Sequence, residues 1–219
     1  MLKWDETTEK LYEVGVDRGV YYPMDDTGKY GDGEAWNGLI SVTESPSGAE
    51  PTALYANDKK YGELTSAEEL GGTIEAYMYP DGFAACNGEV TIVPGMKVAQ
   101  QTRVPFGLVY KTLIGNDTEG IRHGYKLNII YNAKVSPSEQ ANSTVNDSPE
   151  AKTMSWEFTT TPVEIPGYEA SSKLSFNSTT VDAEKLAALE AILYGSDDVE
   201  ARLPMPAEII ELMKDSVNG

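Results

Sequence analysis

The sequence of 219 residues is poor in the residues that most metal and redox sites use. It has one cysteine, Cys86, and one histidine, His123. A disulfide within the chain is therefore excluded, and so are zinc sites built from several cysteines or histidines. A lone cysteine is also typical of a protein made in a reducing cytoplasm, which is the compartment that we expect.

The chain is also short of positive charge and of long apolar runs. Lys and Arg number 17 against 35 Asp and Glu, which gives a formal net charge of -18. A chain with so few basic residues is not expected to have the basic surface that binds nucleic acid or anionic lipid. No run of 18 apolar residues is present, and residues 1–6 are too charged for the start of a signal peptide. We therefore expect a soluble protein with no membrane partner.

Catalytic templates find no support in the sequence. A serine or cysteine nucleophile would need His123 as its general base, and this histidine lies between Arg122 and Gly124 at a turn before a predicted strand. The segment Gly28–Gly33 lacks the Gly-x-Gly-x-x-Gly spacing of a phosphate-binding loop, and no helix follows it. We therefore predict that the protein is not an enzyme, and we assign it no catalytic, cofactor-binding or metal-binding residue.

Two kinds of carboxylate chemistry stay open. The acidic loop 25–34 could hold calcium, although it lacks the spacing of an EF-hand and has Lys29 in its middle. A pair of carboxylates could hydrolyse glycosides, but 35 acidic residues offer many pairs and no spacing distinguishes one of them. An acidic surface that keeps the protein soluble is the simplest explanation of the charge.

Alternation with a period of two residues is the strongest local signal, and it predicts strands. One face of such a strand is formed by Tyr125, Leu127, Ile129 and Tyr131. The pattern recurs at 74–79, 106–114 and 154–159, and weaker candidates are 11–16, 19–22, 39–43, 89–93 and 174–177. Eight or nine short strands without helices between them predict a mainly β fold, an antiparallel sandwich or barrel.

The clearest helix signal lies near the C-terminal end. Asp182 is a suitable N-cap for a helix over residues 183–194, and Gly195 suits the position that follows its end. The apolar stripe of this helix is Leu186, Leu189 and Leu193, at helical spacing.

A second short helix is predicted over residues 207–214, after Pro206, whose missing N–H costs nothing in a first helical turn. The segment Ser66–Glu69 has the capping-box pattern, but the glycines at 71 and 72 leave room for one turn only. Neither an internal repeat nor a linker divides the chain. We therefore predict one domain over 1–219, with a β core at about 11–178.

Three long polar loops are predicted at 23–35, 44–51 and 133–150. Loops of this length without structure of their own are usually functional or are ordered by a partner. The sequence therefore favours a protein that meets another chain through its loops.

Several segments are similar to the major tail proteins, or tail tube proteins, of long-tailed bacteriophages. The matching segments are 35–51, 71–77 with 79–80, 106–108, 112–117, 123–127, 144–151, 185–189 and 192–195. The similarity runs in order from about residue 11 to residue 214 and so covers nearly the whole sequence. Its motifs are structural rather than catalytic. Some proteins of this family carry an extra C-terminal immunoglobulin-like domain, for which this sequence has no counterpart.

The resemblance implies a structural virion protein whose subunits, each an antiparallel β-sandwich or barrel, close into hexameric rings. The rings would stack around a tape-measure protein, meet tail-tip and terminator proteins, and form the conduit for DNA ejection. The implied location is the virion tail, after synthesis in the cytoplasm of the bacterial host. Six copies at -18 each would carry -108, and DNA would pass through such a lumen without specific binding.

If subunits assemble, we expect the contacts between them in loop 44–52 and loop 136–149, with the stripe of Leu186, Leu189 and Leu193 as a third candidate. The alternative for this stripe is that it packs on the sheet of its own subunit. Trp36 and Trp156 are expected in the core.

Two other functions stay open. The tube of a phage-derived bacteriocin or of a defective prophage would share the fold, and the sequence does not separate it from a phage tail. A carbohydrate- or protein-binding β-sandwich of a tail tip, which does not assemble, would need a row of exposed aromatic residues. The 13 tyrosines allow such a row but are scattered along the sequence.

Overall fold

The computed structural model describes residues 3–145, 151–196 and 199–214. Their strands are β1 (Tyr12–Pro23), β2 (Glu34–Ala35), β3 (Leu39–Gly48), β4 (Pro51–Ala56), β5 (Lys59–Thr65), β6 (Glu68–Ala76), β7 (Val90–Val93), β8 (Met96–Val98), β9 (Phe106–Asn116), β10 (Gly120–Val135), β11 (Met154–Thr160) and β12 (Lys173–Asn177). A short 3₁₀ helix spans Asp81–Ala84, and the α-helices are α1 (Ala183–Tyr194) and α2 (Pro206–Met213). The predicted mainly β, antiparallel fold with two short helices near the C-terminus is confirmed.

One antiparallel sheet of eight strands organises the fold, in the order β2-β1-β9-β10-β11-β6-β3, with β12 also paired to β10. The long strand β10 pairs with two strands along one edge. Its residues 126–130 pair with β12, and its residues 133–135 pair with β11. Strands β1 and β3 lie near opposite ends of this order and still contact each other. The sheet therefore curls on itself, with an enclosed face and an outer face.

The enclosed face holds an aromatic core. Trp36 packs with its ring centroid 4.5 Å from that of Phe83 and 5.7 Å from that of Trp156, and Phe83 lies edge-on to Phe106 at 5.2 Å. Rings at such spacings and angles add about 0.5–1.5 kcal/mol per pair beyond the burial of their area. Both tryptophans are buried, so their predicted place in the core is confirmed.

The outer face of β1, β9, β10 and β12 is covered by the two helices, which together enclose a second core. Alternation along the central strands separates the cores, because Leu108 of β9 belongs to the first core and Val109 to the second. The predicted N-cap of α1 is confirmed, since Asp182 Oδ1 accepts hydrogen bonds of 3.0 Å from the backbone N–H groups of Glu184 and Lys185.

Two strands predicted at 11–16 and 19–22 form the single strand β1. Its pairing with β9 shifts register between Val14 and Asp17 and again between Asp17 and Val20. Gly15 and Arg18 have φ angles of 73° and 51° at these irregularities. A bulge inserts an unpaired residue and breaks the alternation of side chains, which is why one bent strand has the sequence pattern of two.

The single helical turn predicted at Ser66–Glu69 is wrong, because Glu68 begins strand β6. This strand ends at Ala76, so the strand predicted over 74–79 is the end of a longer one. Gly72 lies within it, and a Cβ at that position would clash with the carbonyl oxygen of Thr43 on β3. The glycine therefore permits a close approach of strands, whereas in the sequence it looked like the end of a helix.

Candidate assembly surfaces

Strands β4 and β5 form a two-stranded hairpin over residues 51–65, separate from the main sheet. Asn57 and Asp58 at its turn have φ angles of 49° and 59°, the left-handed pair of a type I′ turn. Neither strand makes more than marginal contact with any other strand or helix of the described chain. The exposed apolar residues of the 51–65 hairpin are Leu54 (39%), Tyr55 (73%), Tyr61 (79%) and Leu64 (61%).

A second hairpin, over residues 90–98, is formed by β7 and β8. Lys97 connects this hairpin to the rest of the chain, because its Nζ lies 2.9 Å from Asp81 Oδ1 and 5.0 Å from the centre of the Tyr79 ring. The hydrogen bond to Asp81 raises the pKa of Lys97. Four apolar residues of this hairpin are about half exposed, namely Val90, Ile92, Val93 and Met96. Both hairpins thus present apolar side chains to the outside.

The enclosed face of the sheet becomes polar toward the strand ends opposite the aromatic core. Lys173 Nζ of β12 lies 2.6 Å from both carboxylate oxygens of Glu44 on β3, and the hydroxyl of Tyr110 donates to the same carboxylate. Burial and then the bond to Glu44 raise the pKa of Tyr110 above its ordinary range. This contact joins β3 to β12, two strands that are not paired with each other.

A second ion pair lies in the same groove, which has a volume of about 310 Å³. Glu13 of β1 accepts hydrogen bonds from Lys126 of β10 and Thr112 of β9. Burial raises the pKa of Glu13, but the bonds from Lys126 and Thr112 outweigh it, so that its pKa lies below the ordinary value. Each carboxylate of the groove therefore has a cationic partner, and the arrangement is that of a structural network.

The predicted loop 44–52 is a strand connection. Residues up to Gly48 belong to β3, and Pro51 begins β4, so that only Ala49 and Glu50 join the two. Ala49 has a φ of 56° and Gly48 a φ of 83°, which turn the chain sharply out of the main sheet. The expectation of a loop was wrong, because this segment is the base of the 51–65 hairpin.

Of the predicted loop 136–149, the structure describes residues 136–145, and residues 146–149 lie outside the described part. Within it, Val145 is 81% exposed. The third candidate contact is wrong. The stripe of Leu186, Leu189 and Leu193 is buried against the sheet of its own chain and so is covered in the single chain.

The residues with reactive side chains do not converge. Cys86 is buried in the aromatic core, and burial raises the pKa of its thiol to about 12. His123 Nδ1 lies 2.8 Å from Glu119 Oε2 and 3.2 Å from Asn116 Nδ2 at the turn between β9 and β10. No hydrogen bond links it to a serine or cysteine in the described part of the chain, and a thiol as deeply buried as Cys86 is inert.

The acidic loop 25–34 is organised by its own hydrogen bonds. Asp25 Oδ1 accepts from the backbone N–H and the hydroxyl of Thr27 and from the backbone N–H of Lys29. These bonds, that of the Thr27 hydroxyl first, lower the pKa of Asp25. Throughout the described residues, no three side chains of His, Cys, Asp or Glu come together as a metal site would require.

Sequence reasoning missed the 51–65 hairpin and predicted only the first strand of the other, at 89–93, although each hairpin has a readable turn signal. Asn57-Asp58 separates two short segments with aromatic residues, and Pro94-Gly95 separates Val90–Val93 from Met96–Val98. Pairs of this kind at two-residue connections are typical of hairpin turns.

No protein-family model matches the chain, and no curated protein matches it significantly. Among the described residues, none of the helices has the length and apolar character that crossing a membrane demands.

Proposed function

We propose that this chain is a structural subunit that self-assembles into stacked rings, hexameric by the family resemblance, and that these rings form the tail tube of a bacteriophage. The tube is the conduit for DNA ejection. Its partners are further copies of the chain, a tape-measure protein inside the tube, and the tail-tip and terminator proteins at its two ends.

The observation that carries the proposal is the exposed apolar surface of the 51–65 hairpin. An isolated two-stranded hairpin is marginally stable in water, and this one leaves Tyr55 and Tyr61 about three-quarters exposed. Full burial of a large apolar side chain stabilises an interface by roughly 1.5–3 kcal/mol. A second copy that covers the hairpin would supply both the burial and the support that its own subunit does not provide.

The charge of the chain fits a conduit for DNA. Phosphates repel carboxylates, so an acidic lumen holds DNA weakly and lets it move, the opposite of the cationic grooves that release counterions when they bind DNA. The same charge opposes assembly, because copies at -18 repel one another. Exposed charges are screened beyond roughly 10 Å at 0.1 M salt, and we therefore expect salt to promote assembly.

Electron microscopy of the negatively stained, purified protein in low and high salt tests the proposal. We expect rings or striated tubes with a central hole, more abundant at high salt. A protein that stays monomeric at every concentration and salt, with or without extracted tail-tip components, would contradict the proposal and favour a binding module.

A pair of variants tests the role of the 51–65 hairpin. Replacing Tyr55 and Tyr61 by serine removes apolar surface that the monomer does not bury, so the monomer should fold normally and assemble poorly. The matched control is Tyr168→Ser, which changes a tyrosine that is equally exposed (80%) but lies outside both hairpins. If both variants assemble like the parent chain, the hairpin is not the contact.

A further inference from the structure

Arg103 carries a guanidinium group that has no partner among the residues that the structure describes. It lies in the segment between β8 and β9, a few residues before Phe106. Its Nε atom is buried and has no hydrogen-bond partner, and Arg103 forms neither a hydrogen bond nor an ion pair with any described residue. A guanidinium group has five N–H donors and binds charged acceptors strongly, so an acceptor from outside the chain can bind the donors that line the surface here.

The side chain is nevertheless held in place. It lies against the backbone of Gly88, where a Cβ would come within 3.2 Å of Arg103 Cγ and 3.3 Å of Arg103 Cζ. Gly88 also has a φ of 77°, which favours glycine, and its carbonyl accepts a 2.9 Å hydrogen bond from the backbone N–H of Gln101. The absence of a side chain at Gly88 therefore leaves the space in which the Arg103 side chain lies.

Arg103 lines two grooves, which together are called the Arg103 pocket below. One has a volume of about 490 Å³ and is lined by the amides of Asn87, Gln101 and Gln140. The other, of about 400 Å³, is lined by Lys134 with the hydroxyl groups of Ser136 and Thr159. Amides, hydroxyls and a second cation around an unpaired guanidinium form a lining suited to an oxyanion.

The carboxylate that lines the first groove is occupied elsewhere. Glu89 Oε2 accepts a 2.9 Å hydrogen bond from the hydroxyl of Tyr79, and Oε1 accepts a 2.9 Å hydrogen bond from Asn87 Nδ2. Asn87 is fixed in turn, because its Oδ1 accepts from the indole N–H of Trp156. The glutamate is thus tied to the core and does not pair with Arg103.

We propose that the Arg103 pocket receives a carboxylate side chain from a second copy of the chain. This inference rests on the self-assembly proposed above and names a contact that completes it. A planar guanidinium binds a carboxylate through two parallel hydrogen bonds, which gives the contact orientation as well as strength. An acidic neighbour would bind the terminal Nη groups, which line the grooves and have no acceptor among the described residues.

The distribution of charge along the sequence supports this occupant. Residues 1–100 carry 18 acidic and 7 basic residues, and residues 151–219 carry 12 and 5, whereas residues 101–150 carry 5 of each. Arg103, Lys134 and Ser136 belong to this neutral stretch, whereas Asn87 and Thr159 of the lining come from the acidic stretches before and after it. A contact between this stretch and an acidic stretch of the next copy replaces repulsion by attraction at that point.

Two arginine variants test the proposal, with assembly measured by sedimentation velocity and electron microscopy. Arg103→Met keeps the length of the side chain and removes the guanidinium, and we expect the concentration needed for assembly to rise about tenfold to a hundredfold, as for loss of a charge-assisted hydrogen bond. Arg103→Lys keeps the positive charge but loses the planar guanidinium that forms two parallel hydrogen bonds, so it should restore assembly only in part. The matched control is Arg122→Met, which removes the same charge from an exposed position.

Zero-length cross-linking identifies the carboxylate. A carbodiimide joins an amine to a carboxylate in contact with it, and Lys134 lines the same site as Arg103. In assemblies mixed from ¹⁵N-labelled and unlabelled chains, we expect Lys134 to be coupled to an Asp or Glu of another copy, and Arg103→Met to lower the yield of this product.

The outcomes separate this inference from the proposed function. If the parent chain assembles and Arg103→Met assembles like Arg122→Met, the pocket is not an assembly contact, and self-assembly stands. Assemblies in which Lys134 forms no cross-link to another copy also overturn the inference. If the parent chain never assembles, both proposals fail. The melting temperature of monomeric Arg103→Met should not fall, because the residue has no partner in the monomer, and a large fall would assign Arg103 to folding instead.

Discussion

Replacing Glu190 by alanine should destabilise the monomer strongly, because it breaks an ion pair buried between helix α1 and the sheet. Lys111 Nζ lies 2.7 Å from Glu190 Oε1, and the two side chains are only 8% and 19% exposed. The ammonium group also lies 4.0 Å from the centre of the Tyr125 ring and 5.3 Å from that of Tyr194. Without Glu190, the cation would remain buried under a helix beside the rings of Tyr125 and Tyr194, with no carboxylate in an ion pair with it among the described residues.

The expected magnitude follows from the burial of the pair. Removing one partner of a buried ion pair typically lowers the free energy of unfolding by about 3–5 kcal/mol, since the other charge stays desolvated. For a protein of this size, 1 kcal/mol corresponds to roughly 2–4 °C in melting temperature, so a fall of roughly 6–20 °C is expected. Replacing both Lys111 and Glu190 by methionine removes the ammonium group together with the carboxylate. This double variant should therefore regain most of the stability that Glu190→Ala loses.

Urea unfolding of the monomer in low salt, below the concentration at which it assembles, measures these effects. The control is Glu211→Ala, which breaks the pair of Glu211 with Lys214, whose side chains are 76% and 62% exposed. An exposed pair contributes at most about 1 kcal/mol. The reasoning is refuted if Glu190→Ala costs no more than this control, or if the double variant is as unstable as the single one.

Three further predictions concern the monomer. Leu189→Ala, at a fully buried position on the sheet-facing side of α1, should lower the free energy of unfolding by about 2–5 kcal/mol in urea titrations, and a loss below about 1 kcal/mol would mean that the second core adjusts easily. The lowered pKa of Glu13 means that its bond with Lys126 stabilises the protein above the ordinary carboxyl pKa and is lost as the pH falls through the lowered value. Between these two values the stability of the parent chain should fall more steeply with acid than that of Lys126→Met, and equal slopes would argue against the linkage. Because burial raises the pKa of Cys86 to about 12, its thiol should react with a disulfide reagent at pH 8 only after unfolding, and rapid labelling of the folded protein would contradict this.

Features that depend on neighbouring residues were readable from the sequence. The alternation of Tyr125, Leu127, Ile129 and Tyr131 predicted a strand and its apolar face. The last three are buried in the core under the helices, and Tyr125 packs against it. Asp182 predicted the start of α1 correctly. Such signals survive because the period of a strand and the cap of a helix are set by backbone geometry over a few residues. The resemblance to tail tube proteins stays a prediction.

Features that depend on how distant strands meet were decided by the tertiary structure alone. The alternation along β10 does not say that one of its faces meets helices and the other an aromatic core. The residues next to Lys111 and Glu190 in the sequence do not indicate that these two side chains pair between β9 and α1. The two bulges of β1 likewise follow from its pairing with β9, and they merge two predicted strands into one.

The candidate assembly surfaces divide in the same way. The sequence predicted a contact between subunits in loop 44–52, which stays a prediction, and it did not show that these residues lead into an exposed hairpin. The Leu186, Leu189 and Leu193 stripe had two readings, and the packing of α1 on the sheet selected the internal one. Arg103 has no sequence signal at all, because a missing partner becomes visible only when every neighbour in space is known. Sequence determined the local periods and caps, and the tertiary structure decided which side chains are covered, paired or left exposed, since burial is a property of the whole fold.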